Sequence, residues 1–253
     1  MKQTRNLIGI AITCLLFAAC QKDSRYTPAN QLAKNNETSS ASSRSHPKNQ
    51  EEGPGWVYTL SNSSGINEVL AYHRAADGQL TFNAAYATGG TGTGGGLGNQ
   101  GAVILADHGD VVLAVNAGSN TISSLKITGN SLNLKSTVPS GGLQPVSIAA
   151  WHDLVYVLNA GGNGSISGFR LMNNDKRVPI PNSSRPLSMA AATGPAQISF
   201  VQDGRVLVIT EKATNTITTY TINEMGLPGV IHTMSSASPT PFGFATGNAG
   251  IIF

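Results

Sequence analysis

The chain has 253 residues, of which 40% are hydrophobic, 6% aromatic and only 11% charged, with a formal net charge of +3. Seven of the cations but only four of the anions precede Gly53, so the rest of the chain is close to neutral and carries no basic stripe for nucleic acid. Both cysteines fall at or before position 20, so the chain beyond Cys20 has no disulfide and has to be held by a sizeable core.

In chain order, a short positive head, Met1-Lys2-Gln3-Thr4-Arg5, leads into the apolar run Leu7 to Ala19. That run is too short for a permanent membrane helix and ends in small residues, as a secretory signal does. Its close, Phe17-Ala18-Ala19-Cys20, resembles the lipobox of bacterial lipoproteins, which implies acylation of Cys20 and removal of Cys14 with the signal. A plain secretory signal with an incidental Cys is the alternative. Residues 1–20 are therefore expected to be a lipoprotein signal peptide, and the product an exported protein lipid-anchored in the cell envelope. From 21 to 53 the chain is Ser, Asn, Lys, Gln and Glu with almost nothing large and apolar, which predicts a disordered tether.

Residues 54–253 are predicted to be one repetitive domain. Val57-Tyr-Thr-Leu-Ser-Asn62, Val112-Leu-Ala-Val-Asn116, Val155-Tyr-Val-Leu-Asn159 and Val206-Leu-Val-Ile-Thr-Glu211 are apolar strands ending in a polar residue. Each is followed by a small polar turn and a further strand. The polar ends Asn62, Asn116, Asn159 and Glu211 are spaced by 54, 43 and 52 residues. A short apolar strand precedes each of the last three copies: Ala102–Leu105, Val146–Ala149 and Ile198–Val201. Asp107-His-Gly-Asp110 and Asp203-Gly204 read as hairpin turns, with residues that tolerate positive φ. Four short antiparallel strands per 40–50 residues is the period of a β-propeller blade. The sequence predicts an all-β chain of about four blades plus the start of a fifth.

Thr88 to Gly101, TGGTGTGGGLGNQG, has eight glycines among fourteen residues. Gly90, Gly92 and Gly95 match G-x-G-x-x-G, but no helical pattern follows and no Gly-Lys-Ser/Thr is present. A phosphate loop needs one or the other for its positive field. The run is predicted to be a long loop between blades, bordering one face or the central channel.

The blades resemble the lactonase-type β-propeller family, which includes 6-phosphogluconolactonase-like and carboxymuconate-cyclising proteins, and the related Tyr-Val-Thr-Asn repeat propellers. The residues carrying the likeness are Leu113–Ile122, Leu154–Gly162, Gly194-Pro195 with Asp203-Gly-Arg205, Val208–Lys212 and Thr240–Phe244. The resemblance implies a seven-bladed ring and metal-independent opening or closing of a lactone by His, Arg and Glu around the channel. Carried over position by position, the family's Arg and His correspond to Ala196 and Gln197, its Glu to Glu211, and a frequent blade-entry His to Gln100. Glu211 is thus the candidate catalytic base, with Gln100, Asn116, Asn159 and Gln197 as candidate substrate contacts. Without the Arg there is no charge-assisted clamp for an acidic substrate. Pairing of Glu211 with Lys212 or with a neighbouring blade is the structural alternative.

No cofactor and no metal are expected. His73, His108, His152 and His232 are scattered singly, no His-x-x-x-His occurs, and Glu68, Asp153 and Asp175 read as turn or rim residues. About 200 residues lie beyond the tether, whereas seven blades at ~45 residues each need roughly 315. The expectation is a truncated or fragmentary frame with an apolar edge at Ile251-Ile-Phe253; self-association through an open blade edge is the alternative. Two functional classes fit these residues. One is a lactone hydrolase acting on a sugar lactone or another small molecule. The other is a non-catalytic envelope propeller binding a glycan, peptide or protein.

Overall fold

The computed structural model describes residues 54–172, 176–188 and 192–247. The expected signal with Cys14 and Cys20, the tether, Asp175 and Ile251-Ile-Phe253 lie outside the described residues.

Among the described residues, sixteen strands form four antiparallel sheets, each built from strands consecutive in the chain. The first sheet holds β1 (Gly55–Leu60), β2 (Glu68–Arg74) and β3 (Leu80–Ala87). The second holds β4 (Val103–Ala106), β5 (Val111–Asn116), β6 (Thr121–Thr128) and β7 (Ser131–Pro139). The third runs β8 (Pro145–Trp151), β9 (Leu154–Asn159), β10 (Ser165–Leu171) and β11 (Arg177–Pro179), with the two-residue β12 (Arg185–Pro186) also on β10. The fourth is β13 (Pro195–Val201), β14 (Val206–Glu211), β15 (Thr216–Ile222) and β16 (Pro228–Ser235). These are blades of a propeller, and the first strands β4, β8 and β13 approach one another along its axis. The Ile148 N–H donates to the Gly101 carbonyl at 2.9 Å, and the Ile198 N–H to Ser147 Oγ at 3.2 Å, so successive axial strands are tied together.

The blades are less uniform than the repeat predicts. By register β1 is the counterpart of β5, so among the described residues the first sheet has no counterpart of β4. In the third sheet two short segments share the outer side of β10, because this stretch carries Pro179, Pro181 and Pro186, which cannot donate to a continuous ladder.

The middle strands are apolar without alternation because both of their faces are covered. In β5, Val111, Leu113 and Val115 pack toward the third sheet, against Val155 and Val157, while Val112 and Ala114 pack toward the first, against Val69. Tyr156, Leu158, Leu207, Ile209 and Tyr220 fill the interface of the third and fourth sheets. Each buried Leu or Ile removed from water here contributes roughly 1.5–3 kcal/mol. The turns use residues that accept left-handed backbone. Asn120 (φ 57°), Gly164 (φ 81°) and Asn215 (φ 54°) occupy the same corner of successive blades. Their carbonyls accept from the N–H of Ser140, Leu187 and Ser236, where the chain leaves for the next blade.

Candidate functional site

β5, β9 and β14 end at one level of the propeller in Asn116, Asn159 and Glu211, and all three side chains have zero exposure. At the first two ends the chain arriving from the preceding blade passes directly over the side chain. A Cβ on Gly90 would stand 2.5 Å from Asn116 Cγ, and one on Gly142 2.6 Å from Asn159 Cγ. Only glycine fits either position.

Asn116 is a saturated hub. Its Oδ1 accepts from Asn67 Nδ2 at 2.9 Å and Thr88 Oγ1 at 2.6 Å, and its Nδ2 donates to Thr121 Oγ1 at 3.0 Å and Ser123 Oγ at 2.8 Å. Asn159 donates to the Ser140 carbonyl at 3.4 Å, and its Oδ1 has no partner among the described residues. Glu211 accepts four bonds: from the Ser188 N–H (3.2 Å) and Thr218 Oγ1 on Oε1, and from Thr214 Oγ1 (3.1 Å) and Ser188 Oγ on Oε2. Thr214 and Thr218 belong to its own blade, and Ser188 to the incoming crossover. A carboxylate with both oxygens engaged and no solvent contact is suited to anchoring chain more than to taking a proton from a substrate.

Gln197 and Gln100 lie at the same end, nearer the axis. The Gln197 amide donates from Nε2 to the Phe244 carbonyl and accepts on Oε1 from the Phe244 N–H, both at 2.9 Å. Its side chain thus replaces a strand in holding the chain beyond β16. The exposed Gln100 gives its backbone N–H to the Ala196 carbonyl at 3.0 Å, and its side chain lies against Gly243. Asn99 Nδ2 donates to the Val146 carbonyl. The end of the glycine run is therefore strapped across the axial ends of the third and fourth sheets, and the run contains no helix. Its other end wraps Asn62, whose Oδ1 accepts from the Thr93 N–H at 3.1 Å and whose Nδ2 donates to the Gly95 carbonyl at 2.6 Å. Between strap and β1 lies an open cavity of about 310 Å³, lined by Thr59, Asn62, Gly95, Asn99 and Gln100.

Lys212 is the residue that the sequence pattern suggested only as a partner of Glu211. It turns away from that carboxylate, donating Nζ to the Gly98 carbonyl and lying 5.0 Å over the Phe242 ring. Burial holds its ammonium below the ordinary value of 10.5. Its place directly after a blade-corner residue was the available signal. Gln100, Gln197 and Lys212 thus converge around Phe242–Phe244 at the axial end, whereas Asn116, Asn159 and Glu211 are sealed in blade corners.

No family profile and no curated protein matches this sequence. Solved structures do. The periplasmic gluconolactonase of Pseudomonas aeruginosa is similar with a TM-score of 0.57 at 14% identity, over 77% of this chain and 58% of that one. A Bacteroides uniformis protein provisionally assigned as a 6-phosphogluconolactonase gives 0.55 at 14%, over 71% and 53%. A Lactobacillus plantarum protein gives 0.56 at 16%, over 75% and 55%. The chain spans a little over half the length of each. At such identity the likeness is one of fold, and the conclusion it carries is a lactonase-like β-propeller.

Proposed function

We propose that this chain is an exported, lipid-anchored propeller of lactonase-like architecture that binds a small polar ligand at its axial end without using Glu211 as a base. The observation carrying this reading is the state of Glu211: zero exposure and four donors on its two oxygens. The cavity beside the strap instead offers the amides of Asn62, Asn99 and Gln100, suited to hydroxyls, and Lys212, bound to the strap at the Gly98 carbonyl, supplies one cation nearby for a carboxylate. Sugar acids and their lactones are the ligand class, supported by the names of the solved neighbours. Export and anchoring rest on the residues Leu7–Cys20.

Lactone hydrolysis is the second reading, favoured by the same neighbours. One experiment separates the two. The full chain and Glu211→Gln are assayed on δ-lactones of sugar acids, while gluconate binding is followed by calorimetry in the wild type and Lys212→Met. The proposal expects no turnover by either protein and gluconate binding weakened by Lys212→Met. Turnover abolished by Glu211→Gln would establish the hydrolase instead, and absence of gluconate binding would remove the axial ligand. Incorporation of labelled palmitate in a bacterial host, lost in Cys20→Ser, checks the anchor.

A further inference from the structure

The opposite end of the blades carries the β4–β5 and β8–β9 turns, away from the axial residues of the proposed ligand site. Between these turns opens a cavity of about 680 Å³ whose wall includes Asp107, His108, Lys126, Trp151, His152 and Asp153. A second cavity of about 360 Å³ shares Trp151, His152 and Asp153 and extends to the β13–β14 turn.

Trp151 is the unusual residue here. At the last paired position of the same hairpin, the second and fourth sheets carry Ala106 and Val201, both 7% exposed. Trp151 is 39% exposed on the cavity wall. Its orientation is nonetheless fixed. A Cβ on Gly204 would fall 2.1 Å from Trp151 Cδ1, so the β13–β14 turn is closed against the indole edge. His152 stands edge-on to it at 5.1 Å, and His108 follows edge-on to His152 at 6.4 Å, which makes a row of three rings. His108 and His152 hold left-handed backbone (φ 55° and 51°), where a glycine would fit without strain.

Each carboxylate around the cavity has a cation beside it, with Lys126 shared between two of them. Lys126 Nζ lies 3.8 Å from Asp107 and 3.5 Å from Asp110, and Arg170 Nη1 binds Asp153 at 2.6 Å. With three carboxylates against two cations the wall offers no positive field to an anion, and it presents donors and acceptors around a fixed apolar plate. A flat apolar plate ringed by hydrogen-bonding groups matches a pyranose, which has an apolar C–H face and an equatorial girdle of hydroxyls.

We propose that this end of the propeller binds a neutral saccharide, with Trp151 as the stacking plate and His108, His152 and Asp107 as hydroxyl contacts. The site is separate from the axial end and does not depend on the reading given for it.

The test uses the full chain with Trp56→Phe, which leaves Trp151 as the remaining tryptophan. Glucose, N-acetylglucosamine and cellobiose are titrated while indole fluorescence and binding heat are recorded. A saturable response to at least one of them is expected, weakened about tenfold or more in Trp151→Ala and less in Trp151→Phe and His108→Ala. Circular dichroism verifies folding, and should Trp151→Ala unfold, the other two variants carry the comparison. No saturable response to any of the three sugars, or unchanged affinity in the folded variants, overturns the proposal.

Discussion

Two crossovers lead to neighbouring blades and start alike, with a hydroxyl residue and two glycines, then diverge. Thr88-Gly89-Gly90 enters the second blade and Ser140-Gly141-Gly142 the third. Gly89 and Gly141 share φ values of 78° and 79°, and the glycine after each lies on an asparagine. Beyond that point the second crossover needs only Leu143-Gln144 to reach β8, with Leu143 accepting from the Gly161 N–H at 2.9 Å. In the first, Thr91 accepts from the Gly118 N–H at 2.9 Å, and the chain then continues through Gln100 across the axial end. The shared part is a structural joint, dictated by steric contact with a buried amide. The extra part is free of that constraint and builds the strap and its cavity.

The equivalence of the two joints can be broken most directly at the glycines. Gly90→Ala and Gly142→Ala should each destabilise the protein by about 3 kcal/mol, since a Cβ at either site collides with a buried amide that cannot yield. Chemical denaturation giving markedly unequal losses would show that the joints are not equivalent. Next come the asparagines beneath them. Asn116→Ala strands several buried partners and should cost about 2–3 kcal/mol, whereas Asn159→Ala, with one long bond, should cost about 1 kcal/mol.

A third joint is held differently, by the Tyr220 hydroxyl donating to the Pro186 carbonyl. Burial pushes that phenol from 10.0 up to about 12. Because the folded-state value is raised, its contribution is fully present below pH 10 and is lost as pH rises from 10 towards 12. Tyr220→Phe should cost about 1 kcal/mol at neutral pH and flatten the alkaline decline in thermal stability. The smallest effect is expected at Gln197→Leu, about 0.5–1 kcal/mol, with faster hydrogen exchange at the Phe244 amide as the specific readout.

Much of the fold was legible in the residues. Repetition of Asn-Ala-Gly, of Asp-Gly turns and of doubly apolar strands follows from burying each middle strand between two blades, and it marked the strands to within a few residues. The glycine run was legible as a loop, because neither a helix pattern nor a Lys accompanied it. The direction of side chains was not. Asn116, Asn159 and Glu211 end strands at a common level, and that level contains both sealed corners and open axial positions. Which a residue occupies depends on the crossover from the blade before it. Trp151 gave no sequence signal, since a single large aromatic in one hairpin has no periodicity.

The amino-acid sequence by itself determined the all-β repeat and the turn positions, because each follows from contacts within one hairpin or from backbone sterics. Only the tertiary structure decided that Gln197 grips Phe244, that Lys212 reaches Gly98, and that Trp151 faces a cavity. Those pairings join residues from different turns or blades, and their geometry is set by how the sheets stack around the axis.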